Sequence, residues 1–260
     1  MKFSIITVVK NEQSKIALTL NSIKNQTFKD YEHIVFDGNS TDGTSEFLKK
    51  NLHNQNLYFR QSDNGVFDAI NKSFQKASGQ YLIILHAGDF FCSKNSLYHL
   101  SEFIDTNNNY DFYYSNILFY NEKNMNISRI WKISPKKNNK LNFLKIAHTS
   151  LCIKKKITKK IFYKDKLKIS ADIDYLYNVC RYFKGKYFNN FFIYMEDQGL
   201  SNSNKYFFRK LKEDIIIHYK IFRLFFIFVM IYKIIIKIPG ILVSKKKYDK
   251  DFINEKKTLL

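Results

Sequence analysis

Five short polar stretches hold the carboxylates and imidazoles on which chemistry could rest. Asp37, Asp63 and Asp89 each stand at or just after the end of a short apolar run. In mainly parallel α/β sheets ligands gather at the carboxyl ends of the strands, so three acids in that register describe one rim. Further on, Asp172 and Asp174 open an amphipathic pattern. A carboxylate there can take the proton of an attacking hydroxyl, although acids in a first turn are also favoured by the helix dipole. Two imidazoles, His86 in His86-Ala87-Gly88-Asp89 and His148 in Ala147-His148-Thr149, add ligand or contact capacity. Other chemistries lack their signatures. There is no G-x-x-x-x-G-K-[ST], no G-x-G-x-x-G after the first apolar run, no G-x-S-x-G elbow and no H-x-E with C-x-x-C.

The elements that would position these residues follow from the pattern. Residues 3–9, 31–37, 57–61 and 80–85 read as strands, with helical spacing at Ile16, Leu20 and Ile23, at Phe47 and Leu48, and over 67–77. Strands alternating with crossover helices argue a mainly parallel sheet. The second half is less regular: strands over 111–118, 127–133 and 187–194, and a helix over 171–183. From about Lys205 a helical pattern runs to Pro239-Gly240, and a polar Lys-rich tail follows. The expected organisation is a domain over 1–204 in two halves, 1–120 and 121–204, and a basic helical extension over 205–260.

The order and spacing of six segments resemble family 2 glycosyltransferases of the GT-A fold, nearest to enzymes of exopolysaccharide and lipopolysaccharide assembly. They are Ser4–Glu12, Val35–Thr44, Ser62–Lys72, Ala77–Tyr81, Leu85–Asp89 and Ser170–Leu176. The resemblance implies an α/β GT-A fold and an inverting transfer from a nucleotide-diphosphate donor, a UDP-sugar foremost, to a lipid-linked or surface-polysaccharide hydroxyl. It implies donor binding by Thr7, Val9, Asn11, Asp37, Asp68, Lys72 and Gly88, with Asp37 accepting the imide N–H of a pyrimidine. Asp89 is the implied ligand of Mn²⁺ or Mg²⁺, although His86 stands where the family's acidic motif has its first acid. Asp172 is the implied general base. His86, His148 and Asp174 are implied contacts to acceptor or diphosphate, and Gln198-Gly199-Leu200-Ser201 resembles a loop that closes over the donor.

Charge adds a second theme. The formal net charge is +20, and residues 1–120 hold 11 Lys/Arg against 12 Asp/Glu, so the whole excess lies beyond them. Over 215–243 the sequence is rich in Ile, Phe and Leu but broken by Lys220, Arg223, Lys233 and Lys237. Taken as one helix, this reads as a basic amphipathic element lying at the inner-leaflet surface, which places the protein peripherally on the cytoplasmic face of the membrane. The start at Met1-Lys2 shows no signal-peptide pattern, and Cys92, Cys152 and Cys180 read as free buried thiols. Competing readings are an inactive nucleotide-sugar binder, a nucleotidyltransferase and a basic nucleic-acid-binding protein. Val8–Gln13 lacks the glycine loop of the second, and the Lys runs come with no zinc-finger spacing or RNP-type motif, so no nucleic-acid partner is expected.

Overall fold

The computed structural model describes residues 1–52, 56–124, 126–133, 135, 141–197, 206–236, 238 and 246–259. The first half alternates as its pattern requires: β1 (Phe3–Val9), α1 (Gln13–Lys24), β2 (Tyr31–Asp37), α2 (Thr44–Asn51), β3 (Asn56–Arg60), α3 (Val66–Lys76) and β4 (Tyr81–Ile84). β1 and β2 are buried at every position, the mark of strands covered on both faces. Their parallel register sets Val9 beside Asp37 and Asp37 beside Arg60, so three strand ends finish level. That row is the rim on which the site is built.

The chain continues through β5 (Phe90–Phe91), α4 (Ser96–Thr106), β6 (Phe112–Asn121), β7 (Asn126–Trp131), β8 (Leu151–Lys154), α5 (Lys155–Thr158), α6 (Ala171–Tyr182) and β9 (Gly185–Glu196). One mixed sheet runs β3-β2-β1-β4-β8-β6-β9-β5, with β7 off that path, pairing with the C-terminal half of β6. β4 pairs antiparallel with β8, so the two expected halves are joined through backbone hydrogen bonds within one sheet. One face packs against α3 and α6 through Phe67, Ile70, Phe74, Ile173, Leu176 and Val179. The other packs against α1 and α4 through Ile23, Leu97, Leu100 and Ile104.

The last third departs from expectation twice. Residues 207–235 are long and apolar enough, by length and composition, to cross a membrane. They nevertheless form two helices, α7 (Phe207–Phe222) and α8 (Phe226–Ile235), separated at Arg223, whose φ is +52°. Asp214 and Lys233 would lie about 28 Å apart on one straight helix; they form an ion pair of 3.3 Å. The segment is therefore a folded-back hairpin, and each arm is shorter than the ~20 residues a span needs. Glu213, Ile217 and Val229 turn towards the protein, while Leu224, Phe225 and Phe228 at the bend are 85%, 68% and 70% exposed.

Nor is the Lys-rich end a solvated tail. Residues Lys246–Leu259 form a helix, α9, whose Phe252 is fully buried against Phe90, Tyr120 and Tyr194, with ring centroids 5.0–6.1 Å apart. Truncating such a ring costs about 3–5 kcal/mol. Asp249 accepts the Ile127 N–H at 2.7 Å and Asn21 donates to the Leu259 carbonyl at 2.7 Å, tying α9 to β7 and α1.

Candidate active site

The level ends of β1 and β2 are laced together by loop hydrogen bonds. Asn11, held at φ +56°, donates its N–H to Ser40 Oγ at 2.9 Å, and its side-chain oxygen accepts the Thr41 N–H at 2.8 Å. Asp42 accepts N–H groups from Gln13 and Thr44, a capping role for the turn. Asp37 is completely buried and turns beneath this lacing. Its carboxylate accepts from the Ser40 N–H, the Ser45 hydroxyl and the Tyr58 hydroxyl. Burial pushes it up, but these bonds outweigh burial and hold it below the usual range. Asp37 shows no face to the cleft; it fixes the loop that forms the cleft's edge. Asp63 instead lines the opening, close enough to Gly38 that a Cβ there would meet its Oδ2 at 2.2 Å.

After β4 the chain makes the turn that presents Asp89. Gly88 sits at φ +92°, a region side chains disfavour, and the turn is held by Thr19 and Tyr120. Gly88 N–H donates to Thr19 Oγ1, Thr19 donates to the Asp89 carbonyl at 2.8 Å, and Tyr120 donates to the Gly88 carbonyl at 2.6 Å. Asp89 Oδ1 accepts the Glu196 N–H at 3.2 Å, while its Oδ2, buried, has no hydrogen-bond partner. Burial pushes this carboxyl up to about 8, and the Glu196 carboxylate adds to the rise. Lys15 bridges Glu196 at 2.8 Å and Glu12 at 3.5 Å beside it.

Asp172 is presented from the opposite wall, in the first turn of α6. The approach to that turn is fixed by Glu213 of α7, whose carboxylate accepts the N–H groups of Lys168, Ile169 and Ser170 at 3.0, 2.9 and 3.0 Å. Asp174 faces away, bound to Lys164 at 2.7 Å and Lys220 at 3.1 Å, so it latches α6 to α7 and makes no cleft contact. Asp172 lies 3.8 Å from His148 Nδ1, electrostatic contact without a closed hydrogen bond. His148 Nε2 in turn meets His86 Nε2 at 3.1 Å. Burial and the neighbouring His148 push His86 down to about 3, so it is neutral and can donate from Nε2. The arrangement that satisfies both contacts has His148 accepting at Nε2 and directing Nδ1–H at Asp172. Burial raises the Asp172 carboxyl, but His148 and then Lys233 outweigh it, and its net shift is downward.

These walls enclose one cleft of about 870 Å³, within the range of small-molecule sites. Of the residues expected from sequence, it brings together Val9, Asn11, His86, Asp89, His148 and Asp172. Thr7 does not reach it; its hydroxyl is buried against His33 at 2.9 Å. Asp68 and Lys72 pair with each other at 2.9 Å and staple the 62–65 turn through the Asn64 N–H and Ser62 carbonyl. Gly88 shapes the turn without lining the cleft. The 198–201 loop lies outside the described residues. Sequence reasoning missed Lys15, Arg129, Lys210, Glu213 and Lys233. Helical spacing from Glu12 signals Lys15; nothing local marks the others, whose partners are remote in sequence.

The model of the family described as glycosyl transferase family 2 matches residues 4–164, more than half of the chain. The chain belongs to glycosyl transferase family 2. The transferase is 32% identical over 119 residues to the PGL/p-HBAD biosynthesis glycosyltransferase of Mycobacterium tuberculosis, covering 45% of this chain and 46% of that one. It thus spans about half the length of the curated relatives it matches. Its fold is similar to residues 1–349 of S. aureus TarS, solved with UDP-GlcNAc (TM-score 0.69, 18% identity, 86% of this chain and 67% of that one). It is also similar to the mannosyltransferase PcManGT of Pyrobaculum calidifontis, solved with GDP-Man and Mn²⁺ (TM-score 0.61, 14% identity, 85% and 64%). The family match ends before Asp172 and Glu213, so the wall that carries Asp172 lies beyond it.

Among the described residues no three His, Cys, Asp or Glu side chains are grouped to hold a metal ion. Asp89 does offer a buried, unpartnered carboxylate oxygen at the cleft. Mg²⁺ and Mn²⁺ commonly bind through one or two carboxylates completed by substrate phosphates, and a single hard ligand fits that mode.

Proposed function

We infer that this family 2 transferase moves a sugar, with inversion, from a nucleotide-diphosphate donor of the UDP-sugar class to a hydroxyl of a lipid-linked or surface glycan. The observation that carries this reading is that one cleft holds Asp89 on the strand-end wall and Asp172 on the helical wall opposite. The donor's base and ribose belong at the rim formed by Val9, Lys10, Asn11 and Asp63, its diphosphate towards Asp89 and Lys15. Solved relatives of the same fold hold UDP-GlcNAc or GDP-Man with Mn²⁺, which supports a nucleotide-sugar donor here.

In this reading the acceptor oxygen forms a bond to the anomeric carbon as that carbon's bond to the diphosphate breaks. The electron pair leaves on the diphosphate, and the acceptor proton passes to Asp172. His148 keeps Asp172 ionised and aimed. Asp89 would hold the cation, which when bound neutralises charge on the departing diphosphate. Lys15 contributes fixed positive charge on the same side.

The exposed apolar bend of the α7–α8 hairpin, flanked by Lys220 and Arg223, supports docking on an anionic membrane surface, taken here as the cytoplasmic face. Calorimetry with UDP-, dTDP- and GDP-sugars, with and without Mn²⁺, tests the whole. A UDP-sugar should bind and be slowly hydrolysed; failure of every nucleotide sugar to bind would end this reading.

A further inference from the structure

Away from the donor rim, the cleft ends in a cluster of cations that the transfer itself does not use. The β6–β7 register sets Phe119 opposite Arg129, and Trp131, two residues on, shares that face. The Arg129 guanidinium lies 3.8 Å from the Phe119 ring centroid and 5.2 Å from that of Trp131. Its Nε is buried with no hydrogen-bond partner. The hairpin adds Lys210 from α7 and Lys233 from α8, and all three cations line the cleft. Burial, then Lys233 and Arg129 against the help of Asp214, holds Lys210 below its ordinary value. One more buried atom on the cleft lining, Asp214 Oδ1, has no hydrogen-bond partner. The region is thus polar, crowded with like charge and incompletely satisfied. Unpaired buried polar atoms are rare enough in folded proteins to point to a missing occupant.

We propose that Arg129, Lys210 and Lys233 form a subsite for a phosphate group of a lipid-borne acceptor, next to the hydroxyl that Asp172 serves. Asp214, Asp172 and Asp197, the last acting on Arg129, offset these three cations, and Lys168 on the same wall adds a fourth positive charge. Arg suits this task because its planar fork matches phosphate oxygens, and here two aromatic rings hold that fork. Lipid is favoured over a soluble phosphate by continuity. The helices that supply Lys210 and Lys233 also expose Phe208, Leu211, Ile231 and Ile234, and the cleft wall between is Phe143, Leu144 and Leu176. An acyl or prenyl chain could follow that wall from the hairpin to the cations. The proposal rests on the lipid-linked acceptor reading above and adds the group that anchors it.

Trp131 is the only tryptophan in the chain, so its fluorescence reports this end of the cleft directly. Farnesyl phosphate, farnesol and inorganic phosphate would each be titrated into the full chain while Trp131 emission is followed, with calorimetry alongside. Farnesyl phosphate should bind at least ~10-fold more tightly than farnesol, and the difference should shrink as salt rises. Arg129→Met and Lys233→Met should each erase most of that difference, and Lys233→Arg should restore it, which separates lost charge from lost fold. Equal binding of phosphate and alcohol, or unchanged binding in both Met variants, would overturn the proposal. Inorganic phosphate binding as tightly as farnesyl phosphate would overturn the lipid assignment. UDP-sugar affinity, measured on the same variants, should stay at the wild-type level. Parallel loss of donor binding would assign the cations to the donor and defeat the proposal. A protein that binds farnesyl phosphate as described but no nucleotide sugar would defeat the transferase reading instead.

Discussion

Glu213 connects the C-terminal hairpin to the turn that carries Asp172, and its removal has a calculable effect. The carboxylate accepts three consecutive N–H groups, those of Lys168, Ile169 and Ser170, immediately before the helix that carries Asp172. Changing Glu213 to Ala leaves these donors without their acceptor. The Ser170 bond is buried and loses its full value, about 1–3 kcal/mol; the other two are partly buried and regain some hydration. A total of about 2–4 kcal/mol follows. For a chain of this size each kcal/mol lowers Tm by roughly 2–4 °C, so a drop of about 4–16 °C is expected by scanning calorimetry. The turn that aims Asp172 also loosens, and a displacement near 1 Å can cost ~100-fold in kcat. Glu213→Gln keeps one acceptor oxygen and should fall between Ala and wild type in both measurements. If Glu213→Ala melts and turns over like wild type, the hairpin does not position the base, and that part of the reasoning fails.

Two further outcomes follow from the site and the hairpin. His148→Phe keeps ring packing against Phe67 and Tyr163 but removes the donor facing Asp172. With burial then less opposed, the Asp172 carboxyl rises, so the acid limb of kcat/KM should move to higher pH. Because the contact is 3.8 Å, the rate loss at the plateau should be modest, about 10-fold; an unmoved acid limb would contradict the assignment. Replacing Leu224, Phe225 and Phe228 together by Ser removes three exposed apolar groups at about 1.5–3 kcal/mol each. Partitioning onto anionic vesicles should fall at least ~100-fold while Tm holds, and undiminished vesicle binding would rule out the bend as the docking element.

Much of the strand-end wall was legible because its determinants are local. The runs at 3–9 and 31–37 are short, rich in apolar residues and bounded by polar turn residues, and the structure returns the same bounds. Asp89 and His86 follow from a turn read within five residues. Asp172 was legible from the pattern of a helix start. What local pattern could not convey was orientation. Asp37 and Asp174 occupy their expected places but turn inward, because Ser45 and Tyr58 claim the first and Lys164 and Lys220 the second. The C-terminal segment misled for a related reason. A periodicity argument treats 215–243 as one helix, whereas the break at Arg223 reverses the chain and sends Lys233 back to Asp214. The spacing of Tyr248, Phe252 and Leu259 carried the α9 signal, overshadowed by the lysines around it. The Asp172–His148–His86 chain spans 86 residues and forms only once β4, β8 and α6 meet.

The central claim is that Asp172 accepts the acceptor's proton in a nucleotide-sugar transfer. Asp172→Asn tests it most directly, since the amide keeps the shape and can still accept from His148. Transfer should fall ~10²–10⁴-fold, the usual worth of a positioned base, while the donor dissociation constant measured on the same preparation stays unchanged. Transfer at the wild-type rate with intact donor binding would contradict the account.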